Sequence, residues 1–174
     1  MSMSAQHHFA PGDQGDRDLY ARERVLNSAI IAADLSRGWE EYLEILDAFY
    51  ADDVEVTAAP ETGPIRGKER IRALLFNFLA LLHVMVEIGG LAIDVRESPI
   101  HGEMPDETHS AWSVNLIGVS GRACILNWCT LRRWADSRVV YERHYDHQQS
   151  GGPLTGDDLS LNQSVATLGY GNPS

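Results

Sequence analysis

Apolar and polar positions along the chain repeat first with a helical period and then with a strand period. Residues 18–36 carry apolar side chains three and four positions apart, which is typical of an amphipathic helix. The same spacing recurs in residues 38–50, and residues 63–82 predict a loop followed by a helix that Gly67 caps. The alternating stretch 51–60 ends at a proline and predicts a short strand between these helices.

Strand-like segments follow the third helix. They are "HVMVEIGGLAIDV", "THSAWSVNLIGV", "RACILNWCTLRRW" and "RVVYERHYD", at residues 83–95, 108–119, 122–134 and 138–146. The connections between them contain Gly, Pro, Asp or Ser, as antiparallel turns require. Helices followed by a run of strands predict an α+β fold and not alternating βαβ units.

Composition divides the chain into three parts. Residues 1–17 are polar and rich in Gly and Asp, which predicts a mobile leader. Residues 18–149 form the predicted single domain, and the Gly/Ser/Asn-rich residues 150–174 predict a flexible tail. The total of 174 residues suffices for one domain with a buried core.

The charge balance excludes several classes of partner. The formal net charge is −11, from 14 Lys and Arg against 25 Asp and Glu. Nucleic acids and anionic membranes both attract basic surfaces, so neither is an expected partner. The longest apolar run, 73–88, is too short and too interrupted to span a bilayer, and the N-terminus lacks the features of a signal peptide. We therefore expect a cytoplasmic protein.

Known motifs for cofactors and metals are missing. In "GPIRGKE" only three residues separate Gly63 from Gly67, and Glu69 stands where a phosphate loop needs a hydroxyl. Neither G-x-G-x-x-G nor G-x-S-x-G occurs. "HYDH" offers His144 and Asp146 to a metal, but a third ligand is not evident. The sequence therefore predicts no cofactor and no bound metal.

Two ionisable residues stand out against their surroundings. Asp34 lies at the predicted end of the first helix, where an acid opposes the helix dipole. It either turns the chain and caps the next helix, or reaches the sheet to hold a histidine. His83 opens the predicted strand 83–95 and shares a strand face with Met85. It is either a core residue with satisfied hydrogen bonds or a reactive group.

Strand alternation indicates further pocket residues. Asn127 is an amide in the otherwise apolar row of its strand, so it needs partners and is a pocket candidate. On the last strand, Arg143 and Tyr145 share a face with Val139, and His144 faces the other way.

The chain resembles a known superfamily in four stretches. "AADLSRGWEEYLEILDAFYADDVEV", "GPIRGKERIRALL", "LLHVMVEIGG" and "RVVYERHYD" together resemble the nuclear-transport-factor-2-like superfamily, in particular its SnoaL-like group. The resemblance covers residues 19–148. It implies a cone in which a curved, mostly antiparallel sheet wraps around three N-terminal helices and leaves a pocket at the open end.

Within that superfamily, scytalone dehydratase and bile acid 7α-dehydratase resemble this chain in a more restricted pattern. Both carry an aspartate a few residues ahead of a Trp and a histidine opening a later strand, which Asp34, Trp39 and His83 match. Asn127 resembles an active-site asparagine of the first enzyme, and Arg143 an arginine of the second. The resemblance thus implies an Asp34–His83 catalytic dyad.

The chain also departs from these relatives. The two tyrosines with which scytalone dehydratase grips its substrate correspond to Ala33 and about Val56. His109 does not match the position of its second catalytic histidine. "AWSVN" lacks the Arg-x-Asp of limonene epoxide hydrolase, and the carboxylate base of ketosteroid isomerase has no match. No relative's substrate is therefore carried over.

The dyad predicts acid–base chemistry. A carboxylate hydrogen-bonded to His83 fixes the tautomer of the imidazole. The free nitrogen of the imidazole then removes a proton beside a carbonyl and returns it to a leaving hydroxyl. Arg143 and Asn127 are placed to stabilise the enolate oxygen. The side chains expected to line the substrate pocket are Trp39, Phe49, Val56, Met85, Asn127, Arg143 and Tyr145.

Two functions remain open at this point. The first is a cofactor-free dehydratase, isomerase or cyclase acting on a carbonyl-bearing, mostly apolar small molecule of polyketide or steroid type. The second is a non-catalytic small-molecule-binding or dimerisation module, since one fold serves many functions. Trp112, Val114 and Leu116 form a predicted outward apolar row, which favours a homodimer or homotrimer through the sheet.

Overall fold

The computed structural model describes residues 13–33, 40–59, 63–98 and 106–159. The helices are α1 (Asp13–Ala32), α2 (Glu40–Phe49), α3 (Lys68–Glu87) and α4 (Gly156–Leu159). The strands are β1 (Tyr50–Thr57), β2 (Ile65–Arg66), β3 (Leu91–Ser98), β4 (Glu107–Ile117), β5 (Ala123–Ala135) and β6 (Arg138–Gly151).

The six strands form one sheet in the order β2-β1-β6-β5-β4-β3. β1 and β6 run parallel, and every other pair of neighbouring strands is antiparallel. The three long helices pack against one face of the sheet, which we call the inner face. The predicted α+β fold, with helices packed on a mostly antiparallel sheet, is confirmed.

The core consists of two apolar clusters on the inner face. The larger cluster joins α1 and α2 to the sheet through residues such as Leu26, Leu46, Val54 and Val139. The smaller cluster lies under the C-terminal half of α3, and fully buried Met85 is part of it. A cavity remains beside the larger cluster.

The segment around His83 is helical, so its prediction as a strand is wrong. A short, mostly apolar run fits both a buried strand and a buried helix, and the Gly89–Gly90 pair decides between them. Gly89 adopts φ +69°, and the N–H groups of Gly89 and Gly90 donate to the carbonyls of Val86 and Met85. This is the Schellman pattern of a helix C-terminus. The glycines therefore end α3, and β3 begins only at Leu91.

The apolar row on β4 faces inward, so its prediction as an outward row is wrong. Trp112, Val114 and Leu116 are 6%, 2% and 3% exposed and pack against the helices. Alternation identifies which residues share a face of a strand, but it does not reveal which face the helices cover. The homodimer or homotrimer thereby loses that support and stays a prediction.

Helical and strand structure continues past residues 18 and 149, the predicted ends of the domain, and those ends stay a prediction. α1 begins at Asp13, β6 continues to Gly151, and α4 follows. Asp158 of α4 is buried and accepts hydrogen bonds from the backbone N–H and hydroxyl of Thr155. The rest of the predicted leader and tail lies outside the described residues. Within the described ranges, no helix has the length and apolar character needed to cross a bilayer.

Candidate active site

A cavity of about 680 Å³ opens between helices α1–α3 and the inner face of the sheet. Ligand pockets typically measure ~300–1,000 Å³ and are mostly apolar, with a few polar groups that orient the ligand. Much of this wall is apolar, and Trp112 and Trp128 contribute parallel rings with centroids 6.0 Å apart. One end of the cavity is polar, and its polarity comes from neighbouring positions of β5 and β6.

Arg132 of β5 is the centre of that polar end. Its side chain is 3% exposed and contacts two carboxylates: Nη1 donates to Glu23 at 2.6 Å, and Nε donates to Glu142 at 2.6 Å. Asn27 accepts a further hydrogen bond from Nη1 at 2.9 Å. Burial alone would lower the pKa of Arg132, but Glu23, Tyr50 and Glu142 raise it well above its usual value. The guanidinium therefore stays charged.

Glu142 of β6 accepts hydrogen bonds on both carboxylate oxygens. Tyr50 Oη and Arg132 Nε each donate to Oε2 at 2.6 Å, and His144 Nε2 lies 2.7 Å from Oε1. Burial raises the pKa of Glu142, but the Arg132 charge and the His144 contact outweigh burial and hold it well below its usual range. Glu142 is therefore an ionised carboxylate despite being buried.

His144 lines the cavity beside Glu142. Residues two apart on a strand share a face, so both side chains project inward. Because Glu142 is ionised, His144 Nε2 carries the proton that bonds to it, and Nδ1 is the remaining nitrogen. The side chain is 24% exposed, and its ring centroid lies 6.1 Å from that of Trp128. The structure thus presents a carboxylate-oriented imidazole to the cavity.

Two buried phenols flank this pair. Burial is the main cause that raises the pKa of Tyr42 and of Tyr50, and Glu142 adds to the rise in each. Both hydroxyls therefore keep their protons and act as hydrogen-bond donors. The Tyr50 hydroxyl donates its hydrogen bond to Glu142, whereas Tyr42 lines the cavity.

Two bulges on β6 determine which of its side chains reach the cavity. Trp134 pairs with Val139 and Arg133 with Tyr141, so Val140 is an extra residue that reverses the alternation. A second extra residue lies near Asp146, which adopts φ +54°. Beyond the second bulge, His147, Gln148 and Gln149 line the cavity.

The first bulge explains why the face predicted for Arg143 and Tyr145 is wrong. Simple alternation from buried Val139 places both side chains inside. The extra residue instead sends Arg143 to the exposed outer face, and Tyr145 Oη lies 3.0 Å from His109 Nδ1 on that face. Neither residue is in the cavity wall. Their predicted contact with substrate, and the enolate-binding role of Arg143, therefore gain no support from this placement and stay predictions.

The structure places the other predicted pocket residues as follows. Asn127 and Val56 line the cavity. Met85 does not, because on a helix it points into the core under α3. Phe49 packs against the larger apolar cluster outside the cavity wall, and Trp39 lies outside the described residues.

Only one member of the predicted dyad can be located. His83 lies on α3 with Nε2 3.4 Å from Glu87, and it is not in the cavity wall. On a helix it shares a face with Glu87, four residues on, and not with Met85. Asp34 lies outside the described residues, so the Asp34–His83 dyad stays a prediction.

Sequence reasoning missed the polar residues that the structure gathers at the cavity. One signal was available: Glu23 and Asn27 interrupt the apolar stripe of α1, and both are fully buried. A polar residue within an apolar helical stripe needs a partner across the core. The partner, Arg132, was hidden because strand alternation did not reveal the inner face of β5.

Metal binding gains no support from this arrangement. Across the described ranges, no three His, Cys, Asp or Glu side chains are placed to hold a metal ion together. His144 and Asp146 of "HYDH" are separated by the second bulge, where Asp146 is exposed.

Comparison with known proteins gives matches among solved structures. No protein-family model and no curated protein matches the chain. A Jannaschia sp. protein described as a SnoaL-like polyketide cyclase is 16% identical, covering 80% of this chain and 90% of that one, with a TM-score of 0.49. An NTF2-like protein from Burkholderia pseudomallei is 15% identical over 79% and 91%, with a TM-score of 0.42. A Mycobacterium tuberculosis epoxide hydrolase, described as LEH-like, is 19% identical over 72% and 82%, with a TM-score of 0.43.

Proposed function

We infer that the cavity binds a neutral, carbonyl-bearing, mostly apolar small molecule and that His144, oriented by Glu142, moves a proton on it without a cofactor. The observation that carries this proposal is the 2.7 Å contact between His144 and buried Glu142 at the polar end of an apolar cavity. The chemistry is that predicted for Asp34 and His83, assigned to a different pair.

The charges at the polar end stabilise the imidazolium that forms when His144 accepts a proton during the reaction. Glu23 and Glu142 contribute two negative charges and Arg132 one positive charge, so this group carries a net charge of −1. A proton taken up by His144 neutralises that excess, and the imidazolium lies against the Glu142 carboxylate. An anionic ligand would meet the same negative excess, so a neutral ligand is favoured.

The proposed proton transfer passes through an enolate. His144 Nδ1 takes a proton from the carbon beside the ligand's carbonyl, and the C–H electron pair moves onto the carbonyl oxygen as an enolate. If the neighbouring carbon bears a hydroxyl, the imidazolium returns the proton to that oxygen and water leaves, which is dehydration. If it does not, protonation at another carbon gives isomerisation. Neither route changes the ligand's oxidation state.

Exchange of carbon-bound hydrogen with solvent tests this step without knowledge of the natural substrate. We expect the protein in D₂O to accelerate deuterium incorporation next to the carbonyl of 2-tetralone, measured by NMR against buffer alone. His144→Gln keeps a hydrogen-bonding group but no base, so the accelerated rate should fall by about 10²–10⁴-fold. His83→Gln, which alters a histidine outside the cavity wall, should keep the wild-type rate.

Two outcomes would contradict the proposal. Full exchange in His144→Gln with loss in His83→Gln would assign the proton transfer to the predicted Asp34–His83 dyad. Binding of 2-tetralone without accelerated exchange in the wild type would favour the non-catalytic binding module.

A further inference from the structure

Two buried hydrogen-bond donors on the cavity wall have no partner. In the part of the chain that the structure describes, five buried side-chain nitrogen or oxygen atoms lack a hydrogen-bond partner. Two of them, Trp112 Nε1 and Thr130 Oγ1, belong to residues that line the cavity, and the other three do not. Trp112 is 6% exposed and Thr130 is 1% exposed. A buried polar group without a partner costs free energy. Both atoms lie just behind the cavity surface, so a ligand group becomes their partner once each side chain turns towards the cavity.

The sheet register places these donors next to each other and next to His144. Trp112 of β4 pairs with Trp128 of β5, and Thr130 lies two residues further along the same inner face. Thr130 in turn pairs directly with His144 of β6. Directly paired residues on one face have Cβ atoms about 4.5–5.5 Å apart, and diagonal neighbours are within reach of large side chains. Trp112 is thus a diagonal neighbour of Thr130, and Thr130 is the direct neighbour of His144.

We propose that Trp112 Nε1–H and Thr130 Oγ1–H together bind the carbonyl oxygen of the ligand. An indole N–H only donates, so the ligand must supply an acceptor there, and a carbonyl oxygen accepts two hydrogen bonds. This assignment rests on the proposed function for its catalytic meaning: an oxygen held by Trp112 and Thr130 places the adjacent carbon towards His144, the direct strand neighbour of Thr130. Both donors then stabilise the enolate that forms when that carbon loses its proton.

The same arrangement narrows the ligand class. The parallel Trp112 and Trp128 rings form a flat apolar wall beside the two donors. A ring ketone satisfies both features, because its carbonyl meets the donors while its hydrocarbon surface meets the indoles. A hydrocarbon of the same shape would leave both donors unpaired.

Paired probes test the proposal by binding alone. 2-Tetralone and tetralin share two fused rings and differ in the carbonyl, and their affinities can be measured by calorimetry. We expect the wild type to bind the ketone more tightly. Thr130→Val and Trp112→Phe each remove one donor while keeping similar shape, so each should weaken ketone binding about 2- to 10-fold and leave tetralin binding unchanged.

The possible results separate this inference from the proposed function. A wild-type protein that binds the ketone no more tightly than tetralin, or binds neither, overturns the inference. So do variants that weaken both probes equally, since lost packing then explains the effect. If the ketone preference depends on both donors but no deuterium exchange occurs, the inference stands and the proposed catalysis fails. Exchange that survives in Thr130→Val and Trp112→Phe, with the ketone preference intact, supports catalysis and overturns the inference.

Discussion

Two histidine–glutamate pairs in this protein differ in what surrounds them. On α3, His83 Nε2 lies 3.4 Å from Glu87, whose side chain is 38% exposed. On β6, His144 Nε2 lies 2.7 Å from Glu142, whose side chain is 8% exposed and also accepts hydrogen bonds from Tyr50 and Arg132. The residue types are identical, but only the second pair faces the cavity.

The difference shows which surroundings favour proton transfer by a histidine–glutamate pair. An i,i+4 pair on a helix arises from local spacing, and such exposed pairs contribute little stability because water competes for both partners. Glu142 is instead held ionised inside the core by a guanidinium and a phenol from other strands. A fixed, dry carboxylate orients an imidazole and stabilises its protonated form.

The largest loss of stability is expected when the buried guanidinium is removed. Arg132→Met leaves Glu23 and Glu142 buried without their shared counter-charge, which should lower the free energy of unfolding by about 3–5 kcal/mol. Chemical denaturation measures this. The matched control is Arg96→Met on β3, because Arg96 is 85% exposed and its partner Asp94 is 66% exposed. Similar losses in the two variants would mean that the buried group is not the anchor of the site.

A smaller effect is expected from neutralising each glutamate in turn. Glu142→Gln replaces charge-assisted hydrogen bonds by neutral ones and should lower the free energy of unfolding by about 2–3 kcal/mol. Glu87→Gln should change it little, because that carboxylate is exposed. Equal effects in the two variants would erase the distinction between the pairs.

The pH dependence of stability provides a second test of the role of Glu142. The pKa of Glu142 is lower in the folded protein than its ordinary value of 4.5. Its contribution to stability is therefore complete above about pH 5 and is lost as the pH falls towards the folded pKa. Denaturation between pH 6 and pH 2.5 should show the gap between wild type and Glu142→Gln narrowing towards acid. A gap that stays constant would contradict a depressed pKa.

The smallest effect is expected at the phenol. Tyr50→Phe removes one hydrogen bond to the buried carboxylate and should lower the free energy of unfolding by about 1–2 kcal/mol, measured by thermal or chemical unfolding. Tyr141→Phe is the matched control, since the Tyr141 ring contacts Arg133 on the outer side and its loss of a hydroxyl should matter less. If Tyr141→Phe lowered the free energy of unfolding more than Tyr50→Phe, the stabilising phenol would lie on the outer face of the sheet, which contradicts this prediction.

The order of the three long helices and of strands β1 and β3–β6 followed from the sequence alone. Helical spacing in α1 and α2 and alternation in β4 are local properties of the chain, so they predict element type without tertiary information. The cavity wall contains Asn127 and Val56, both of which were named from the sequence as pocket residues, and their contact with a substrate stays a prediction.

Three features of the protein could be determined only from the tertiary structure. Whether residues 83–88 form a helix or a strand depended on the Schellman contacts of Gly89 and Gly90, since the apolar run suits either. Which face of β4 is buried depended on where the helices pack. Which residue of β6 faces the cavity depended on the bulge at Val140, because one extra residue exchanges the faces of Arg143 and His144.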